Sequence, residues 1–385
     1  IDDSIAWFER NSSSGKLTFI GMSKNGINGV QNLNAPVSIT ISSDDSKLYV
    51  LAANSLVWFD RNTSTGSLTY EGSLVENQGG TDGLWGGKDL IVSYDHSHVY
   101  VAASSDKSIA LYERNATSGA LKYIEKRKDG LAGVDGLNYA AGLTLSPDGK
   151  SLYAVGANDD AVCWFDRNTT SGRLQFKGFL KDGSNLVDGM NAPYDIIISP
   201  ENNHVYIVSE FDHALIRYER NSTGDLNFQG FEKDNLNGVD GLQGSRNLTI
   251  SPDGKHIYVS GYDENKVGWF ERNASDGTLT FGGVLSDNTN GVDGLNKPRS
   301  LIVSQDGKFL YASAEVDDSV SWFTRNPVTG ALSYGSASDA NYTLTQADLG
   351  KTITVVASYT DGGSFDHNVS SGGMAVNRAP NDQIG

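Results

Sequence analysis

Seven residues of this 385-residue chain could do chemistry together: Lys88, Asp89, Tyr194, Asp195, Arg246, Asn247 and Arg299. Ammonium and guanidinium groups bind anionic oxygens, carboxyls accept protons or hold cations, and phenol and amide groups orient hydroxyls. They lie far apart in sequence, yet each holds one of two adjacent places in successive copies of a repeat. The other copies put Val37/Ser38 and Ala141/Gly142 there, and Arg299 is followed by Ser300. A position kept for architecture alone should hold the same residue in every copy, and these do not. The expectation is a polar, asymmetric cluster at the mouth of a central channel. It would be either a water-filled, charge-balanced channel or a pocket for a glycan, a peptide terminus or a small carboxylate.

A second set is Asp82, Asp135, Asp188, Asp240 and Asp293, each in a loop that reads Val-Asp-Gly-Leu or a close variant. Carboxylates and loop carbonyls are hard oxygen donors, so the metal they would take is calcium. The same Asp can instead cap a turn, with the following Leu plugging a gap. The spacing matches no EF-hand. Acidic loops at 158–160, 210–213, 263–265 and 315–318 read as a solvated rim. Trp85, Phe211 and Tyr262 are candidate stacking platforms for sugar rings. The six histidines do not recur at a common inner-strand position. No glycine-rich phosphate loop, zinc spacing or nucleophile elbow is present, so no catalytic residue and no organic cofactor is assigned.

The elements that must position these residues are strands. VSWFTRNPVTGALSY at Val320–Tyr334 is a strand, a tight turn and a strand. Similar phrases place their first aromatic residue, or its equivalent, at 7, 58, 111, 164, 217, 269 and 322. A period near fifty residues with four short strands per unit is the pattern of propeller blades. Within a unit an inner strand is followed by a Ser-Pro-Asp-Gly or similar turn, in which Pro presets φ and Gly supplies a positive φ. The second strand, a short loop, the aromatic third strand, the Asn/Thr-Gly turn and the outer strand follow. The expected fold is all-β: a seven-bladed propeller of four-stranded antiparallel blades within 1–363. Six full blades would span about 38–336. The seventh would combine 4–22 with about 342–361, so that both termini complete it and no edge stays unpaired. Residues 364–385 read as a tail or linker to a following domain. The Asn-x-Ser/Thr triplets at Asn11, Asn62, Asn115, Asn168, Asn221 and Asn273 fall in the same hairpin turn, where Asn and Thr serve the turn.

The formal charge of −17 excludes nucleic acid as a natural partner, because phosphate binding needs a basic stripe. The single cysteine, Cys163, excludes an intramolecular disulfide framework and reads as a buried filler. No apolar run is long enough to span a membrane. The chain opens inside a motif and ends in a polar stretch, so it reads as a monomeric piece of a larger multidomain protein.

The phrases LTLSPDGKSLYAVGA (Leu143–Ala157) and LTISPDGKHIYVSGY (Leu248–Tyr262), each with its aromatic strand, resemble bacterial lactonase-like and YVTN-type seven-bladed propellers. The resemblance covers about residues 4–336. It implies the fold, and it implies a sugar lactonase using charged and His residues on one face of the ring. A second run, YTLTQADLGKTITVVASYTDGG from Tyr342, resembles immunoglobulin-like repeats of large bacterial surface (RTX-type) adhesins. That resemblance implies a secreted or cell-surface location. The expected function is therefore a non-enzymatic adhesion module that binds a glycan or protein ligand on the channel face. The alternative is a lactonase-like hydrolase acting on a sugar lactone or small ester through Lys88, Asp195, Arg246 and Arg299. A rigid spacer is the third reading.

Overall fold

Period-two sequence decides how each blade packs. In the third blade the strands Ala140–Leu145, Ser151–Gly156, Ala161–Arg167 and Leu174–Lys181 form one antiparallel sheet in chain order. Successive side chains of a strand point to opposite faces. Here Tyr153 and Val155 join a core with Val205, Ile207 and Tyr218 of the next blade. Leu152 and Ala154 join a core with Tyr100, Ala102 and Leu111 of the preceding one. Each blade is thus sandwiched, and every residue of its second strand is buried. Cys163 is fully buried in the second of these cores, which raises its pKa well above the usual thiol range through desolvation.

The computed structural model describes residues 3–42 and 44–334, and beyond them the short strands 341–343, 352–353, 356–360, 366–370 and 374–375. There is no helix among the described residues. Six four-stranded blades span 38–75, 87–128, 140–181, 193–233, 248–286 and 298–334. The hairpin Ser4–Arg10/Leu17–Lys24 stands between the last blade and the first. Its Ala6, Phe8 and Leu17 pack on Phe309, Tyr311 and Trp322, while Ile5 packs with Ile39, Leu48, Val50 and Phe59. The ring therefore closes through the N-terminal hairpin. The sixth outer strand is interrupted: Leu332–Tyr334 pairs with one half of the third strand and Asn341–Thr343 with the other. Strand Val356–Thr360 pairs with Asp366–Ser370 and runs beside Ser4–Arg10. The expected completion of the seventh blade by about 342–361, and the tail 364–385, fall largely outside the described residues.

Among the described residues, a polar clasp locks six successive joints on the face away from the channel mouth. Tyr100 Oη donates to Gly172 O at 2.6 Å and accepts from Arg167 Nε at 2.6 Å. Arg167 also donates to Gly149 O at 3.0 Å and Asp95 Oδ2 at 2.7 Å. Tyr49/Arg114/Gly119, Tyr153/Arg220/Gly224, Tyr206/Arg272/Gly277 and Tyr258/Arg325/Gly330 repeat the Tyr-Gly and Arg-Tyr bonds. At the N-terminal hairpin, Tyr311 donates to Gly15 O and Arg10 pairs with Asp306 at 2.9 Å. Burial works against ionisation of Asp95, but hydrogen bonds from Ser93 and Arg167 outweigh it and bring the carboxyl down to about 2.

Three histidines share a place here that strand-by-strand reading of the inner strands missed. His98, His204 and His256 each open a second strand. An added Cβ on Gly172, Gly277 or Gly330 would meet the imidazole of His98, His204 or His256 at 2.2–2.3 Å, so that glycine serves space as well as its positive φ. Desolvation and the neighbouring arginine lower the pKa of all three. They are structural imidazoles and lie away from the channel mouth.

Candidate functional site

The seven residues singled out from the repeat do come together. Lys88, Asp89, Tyr194, Asp195, Arg246, Asn247 and Arg299 all line a cavity of about 220 Å³ at the channel mouth. Its position follows from local strand geometry. Four inner strands begin with a register shift, between Gly87/Asp89, Ala140/Leu143, Pro193/Asp195 and Pro298/Ser300. A bulge bends the strand and re-aims its side chains.

The cavity floor is a belt of hydrogen bonds from one blade to the next. Asp89 accepts from Leu90 N (2.8 Å), Leu143 N (3.1 Å) and Ser38 Oγ (3.1 Å). Asp195 accepts from Ile196 N (2.8 Å), Leu248 N (3.1 Å) and Asn247 Nδ2 (2.7 Å). Asn247 Oδ1 in turn accepts from Leu301 N at 2.7 Å. In the third blade the same place is Gly142, where a Cβ would sit 2.9 Å from Tyr194 O and 3.0 Å from Asp195 Cα. Gly142 is small because the neighbouring strand occupies that space. Burial dominates both carboxyls: it raises Asp89 to about 6 against its three donors, and it raises Asp195 to about 7 with help from the Asp89 charge.

The wall is cationic and aromatic. Arg246 Cζ lies 4.1 Å from the Tyr262 ring centroid and 5.7 Å from that of Tyr194, and its Nε donates to Glu210 Oε1 at 3.0 Å. Arg299 Nη1 and Tyr262 Oη both donate to Glu315 Oε2, at 2.9 and 3.0 Å. Lys88 Nζ stands 5.0 Å from the Tyr139 ring. Burial raises the Tyr194 phenol, while Lys88, Arg299 and Arg246 oppose that shift. In a chain of formal charge −17, three cations thus converge on one cavity. A low-dielectric wall behind converging charge strengthens its pull on an anion.

Glu210 and Glu315, expected as a solvated rim, and Tyr262, expected as a stacking platform, carried a further signal in the sequence. They are the residues that follow the second strand, where the earlier copies have Ala53, Ser104 and Ala157. Small residues in three adjacent blades and large polar ones in the next three place the wall on blades four to six. Tyr262 is only 6% exposed, so it supports Arg246 and offers no open stacking face; Trp85 and Phe211 are exposed at 57% and 64%.

The loop aspartates organise turns. Leu84, Leu137, Met190, Leu242 and Leu295 are fully buried, and their amides donate to Glu76, Asp129, Asp182, Asp234 and Asp287. Asp135, Asp188 and Asp293 each accept from the next glycine amide. Four sets bring three carboxylate oxygens within 4.8 Å: Glu76/Asp82/Asp106, Asp129/Asp135/Asp159, Asp234/Asp240/Glu264 and Asp287/Asp293/Asp317. Asp188 is in none of them. Lys126 and Lys266 already pair with Asp82 and Asp240, both at 2.6 Å. The Asn turns hold to their expected role, with Asn168 Oδ1 accepting from Thr170 N and Ser171 N. Asn326, followed by Pro327 and outside any Asn-x-Ser/Thr triplet, makes the same pair of bonds.

A ring of sandwiched four-stranded blades around a polar, asymmetric channel mouth defines a β-propeller. The family described as lactonase, 7-bladed beta-propeller matches residues 1–135, 81–186 and 143–343, and the chain belongs to it. A 6-phosphogluconolactonase of Enterobacter sp. (strain 638) is 22% identical over 201 residues, 52% of this chain and 57% of that protein. The chain thus spans little more than half of that relative. Among solved structures, one from Bacteroides uniformis superposes with TM-score 0.70 at 19% identity, covering 88% of this chain and 91% of the other. The periplasmic gluconolactonase of Pseudomonas aeruginosa gives TM-score 0.66 at 19% identity, covering 88% and 95%.

These findings correct the expectation of an adhesion module and of a glycan or protein ligand on a target surface. The repeat's relatives are named for lactone hydrolysis, and the match extends through every described blade. The misreading came from weighing a short C-terminal run, outside the described blades, above the turn and strand phrases of the ring. It also came from searching the inner strands for histidines, when the converging groups are Arg, Lys and carboxyl.

Proposed function

We propose that the chain hydrolyses a sugar lactone at the channel mouth. The observation that carries this reading is the convergence of Lys88, Arg246 and Arg299 over Asp195 in one cavity of a lactonase-family ring. Water attack on a lactone carbonyl puts negative charge on its oxygen, and preorganised cations in a water-poor site stabilise that charge. Arg246 and Arg299 are held for this role by Glu210 and Glu315. Asp195 Oδ1 accepts a hydrogen bond from Ile196 N at 2.8 Å, which leaves it acceptor capacity toward a water. A carboxyl titrating about 7 suits a general base at neutral pH. The water oxygen bonds to the carbonyl carbon as its proton passes to Asp195; the acyl–oxygen bond then breaks, the ring oxygen takes that proton back from Asp195, and the ring opens to a hydroxy acid with the carboxylate restored.

The test is ring opening of D-glucono-1,5-lactone and its 6-phosphate by the purified chain. Turnover well above the spontaneous rate is expected for at least one. Spontaneous rates with both would sink the proposal. The adhesin-like run from Tyr342 bears on what the ring is attached to and supports a secreted or cell-surface location, which cell fractionation would check.

A further inference from the structure

The turn between the third and outer strands lies on the clasp face, and its sequence carries more than its shape uses. The Asn carbonyl shapes the turn: Asn11, Asn62, Asn115 and Asn168 each accept from the amides two and three residues on, at 2.9–3.0 Å. The hydroxyl three places after the Asn shapes it too, since Ser14, Thr65 and Ser118 accept from the amide two residues further at 3.3 Å.

The hydroxyl two places after the Asn is idle. Those of Ser13, Ser64, Thr117, Thr170 and Ser275 make no hydrogen bond among the described residues. The last copy forms without it, because Asn326 makes the same two bonds with Pro327 and an exposed Val328 behind it. Thr223 differs, in a turn one residue shorter, where its hydroxyl bonds Asn221 and Asp225. The amide nitrogens of Asn11, Asn62, Asn115, Asn168 and Asn273 are also without an acceptor among the described residues, and all five residues are exposed. Each of these turns thus keeps a free amide and a free hydroxyl at the spacing of an N-glycosylation acceptor. The copy that lacks the hydroxyl also has proline in the middle place, which such an acceptor excludes.

We infer that these clasp-face turns are N-glycosylation sites, at Asn11, Asn62, Asn115, Asn168 and Asn273. In the transfer, Nδ2 bonds to the anomeric carbon of a sugar carried on a phosphate leaving group. The anomeric carbon–oxygen bond breaks, the phosphate departs with its electron pair, and the amide proton passes to a base of the transferase. The turns face away from the channel mouth, so glycans there leave the mouth open, and the inference is independent of the lactonase reading. Asn247-Leu248-Thr249 has the same spacing and serves as a control. Its Nδ2 donates to Asp195 and its Oδ1 accepts from Leu301 N, so both ends of the amide are occupied in the cavity floor.

The test is peptide mass mapping of the full chain recovered from the organism that makes it, as wild type and as Thr117→Val. Sugar mass is expected on Asn115 and its four counterparts in the wild type, with Asn247 and Asn326 bare. Thr117→Val should lose the mass at Asn115 alone. Made in a bacterium without N-glycosylation, the two chains should melt at the same temperature, because Val328 already holds that place in the sixth blade. Bare asparagines at all five turns would overturn the inference. So would sugar at Asn247 or Asn326, sugar on Ser or Thr oxygens in place of asparagine, or modification of Asn115 that survives Thr117→Val. A lower melting temperature for the variant would give the hydroxyl a structural role and overturn it as well. Lactone turnover should be equal in modified and unmodified chains, so its absence bears on the functional reading alone.

Discussion

The two ends of the channel ring are built from the same residue types and use them in opposite ways. On the far face, arginine, tyrosine and carboxylate form one clasp that recurs from joint to joint, as in Tyr100/Arg167/Asp95 and Tyr258/Arg325/Asp253. At the mouth, Arg246, Tyr262, Glu210 and Glu315 form a network found on blades four to six only. Arg167 and Arg325 on the far face are almost wholly buried, with Nε and both Nη groups bonded to fixed acceptors, whereas Arg299 keeps 39% of its side chain exposed. Repetition marks what the ring needs in order to stand. Departure from repetition marks where a ligand would meet it.

Breaking the far face should give the largest effect. Arg167→Ala removes four hydrogen bonds at one joint and leaves Tyr100, Asp95 and the Gly149 carbonyl without their partner. Losing one member of such a buried network is expected to cost about 3 kcal/mol in denaturant unfolding. Turnover per folded molecule should be unchanged. At the mouth, Asp195→Asn should lower kcat about 100-fold by removing a general base. It should also flatten the rise in rate that wild type is expected to show as pH passes about 7. Gly142→Ala lies between the two regions in effect. Its Cβ would press on the backbone of Tyr194 and Asp195, costing ~1–2 kcal/mol and also reducing turnover by displacing the floor.

The smallest expected effect is the pH dependence of stability, which the two regions shape with opposite sign. Asp89 and Asp195 have folded values raised to about 6 and about 7 from 3.8, so they destabilise the ring above those values. That penalty is relieved as pH falls from 8 toward 5. Asp95, and Asp44 beside the clasp arginine Arg114 at 3.6 Å, have values lowered to about 2, so their favourable contribution is full above 3.8 and is lost as pH falls through about 2. Unfolding midpoints should therefore rise slightly from pH 8 to 5 and fall below pH 4. A midpoint that only falls from pH 8 downward would contradict the assignment of the floor.

Much of the fold was legible because it rests on local rules repeated many times. Gly149 with Pro147 announces a turn, and alternating residues such as Leu152, Tyr153, Ala154 and Val155 announce a strand buried on both faces. The cavity members were legible at Lys88, Asp89, Tyr194, Asp195, Arg246, Asn247 and Arg299, because comparing copies exposes asymmetry without any structure. The floor's structural duty was not legible. That Asp195 caps Leu248 and that Gly142 yields space to Asp195 depends on inter-blade register, which no single repeat encodes. Glu210 and Glu315 were hidden because the loop after the second strand reads as a solvated acidic rim, and Tyr262 was read as an open stacking platform when it is a buried support for Arg246. Only the loop's closeness to the next inner strand makes it a wall. The chemistry itself was misjudged at the C-terminus, where a familiar-looking run outweighed the ring.

The most direct measurement is turnover of a sugar lactone by Arg246→Ala, with its melting temperature recorded beside that of wild type. A loss of about 100-fold in kcat/KM with an unchanged melting temperature is expected, since Arg246 serves the site and the clasps hold the ring. Undiminished turnover, or a loss matched by a collapse in stability, would contradict the division between scaffold and site.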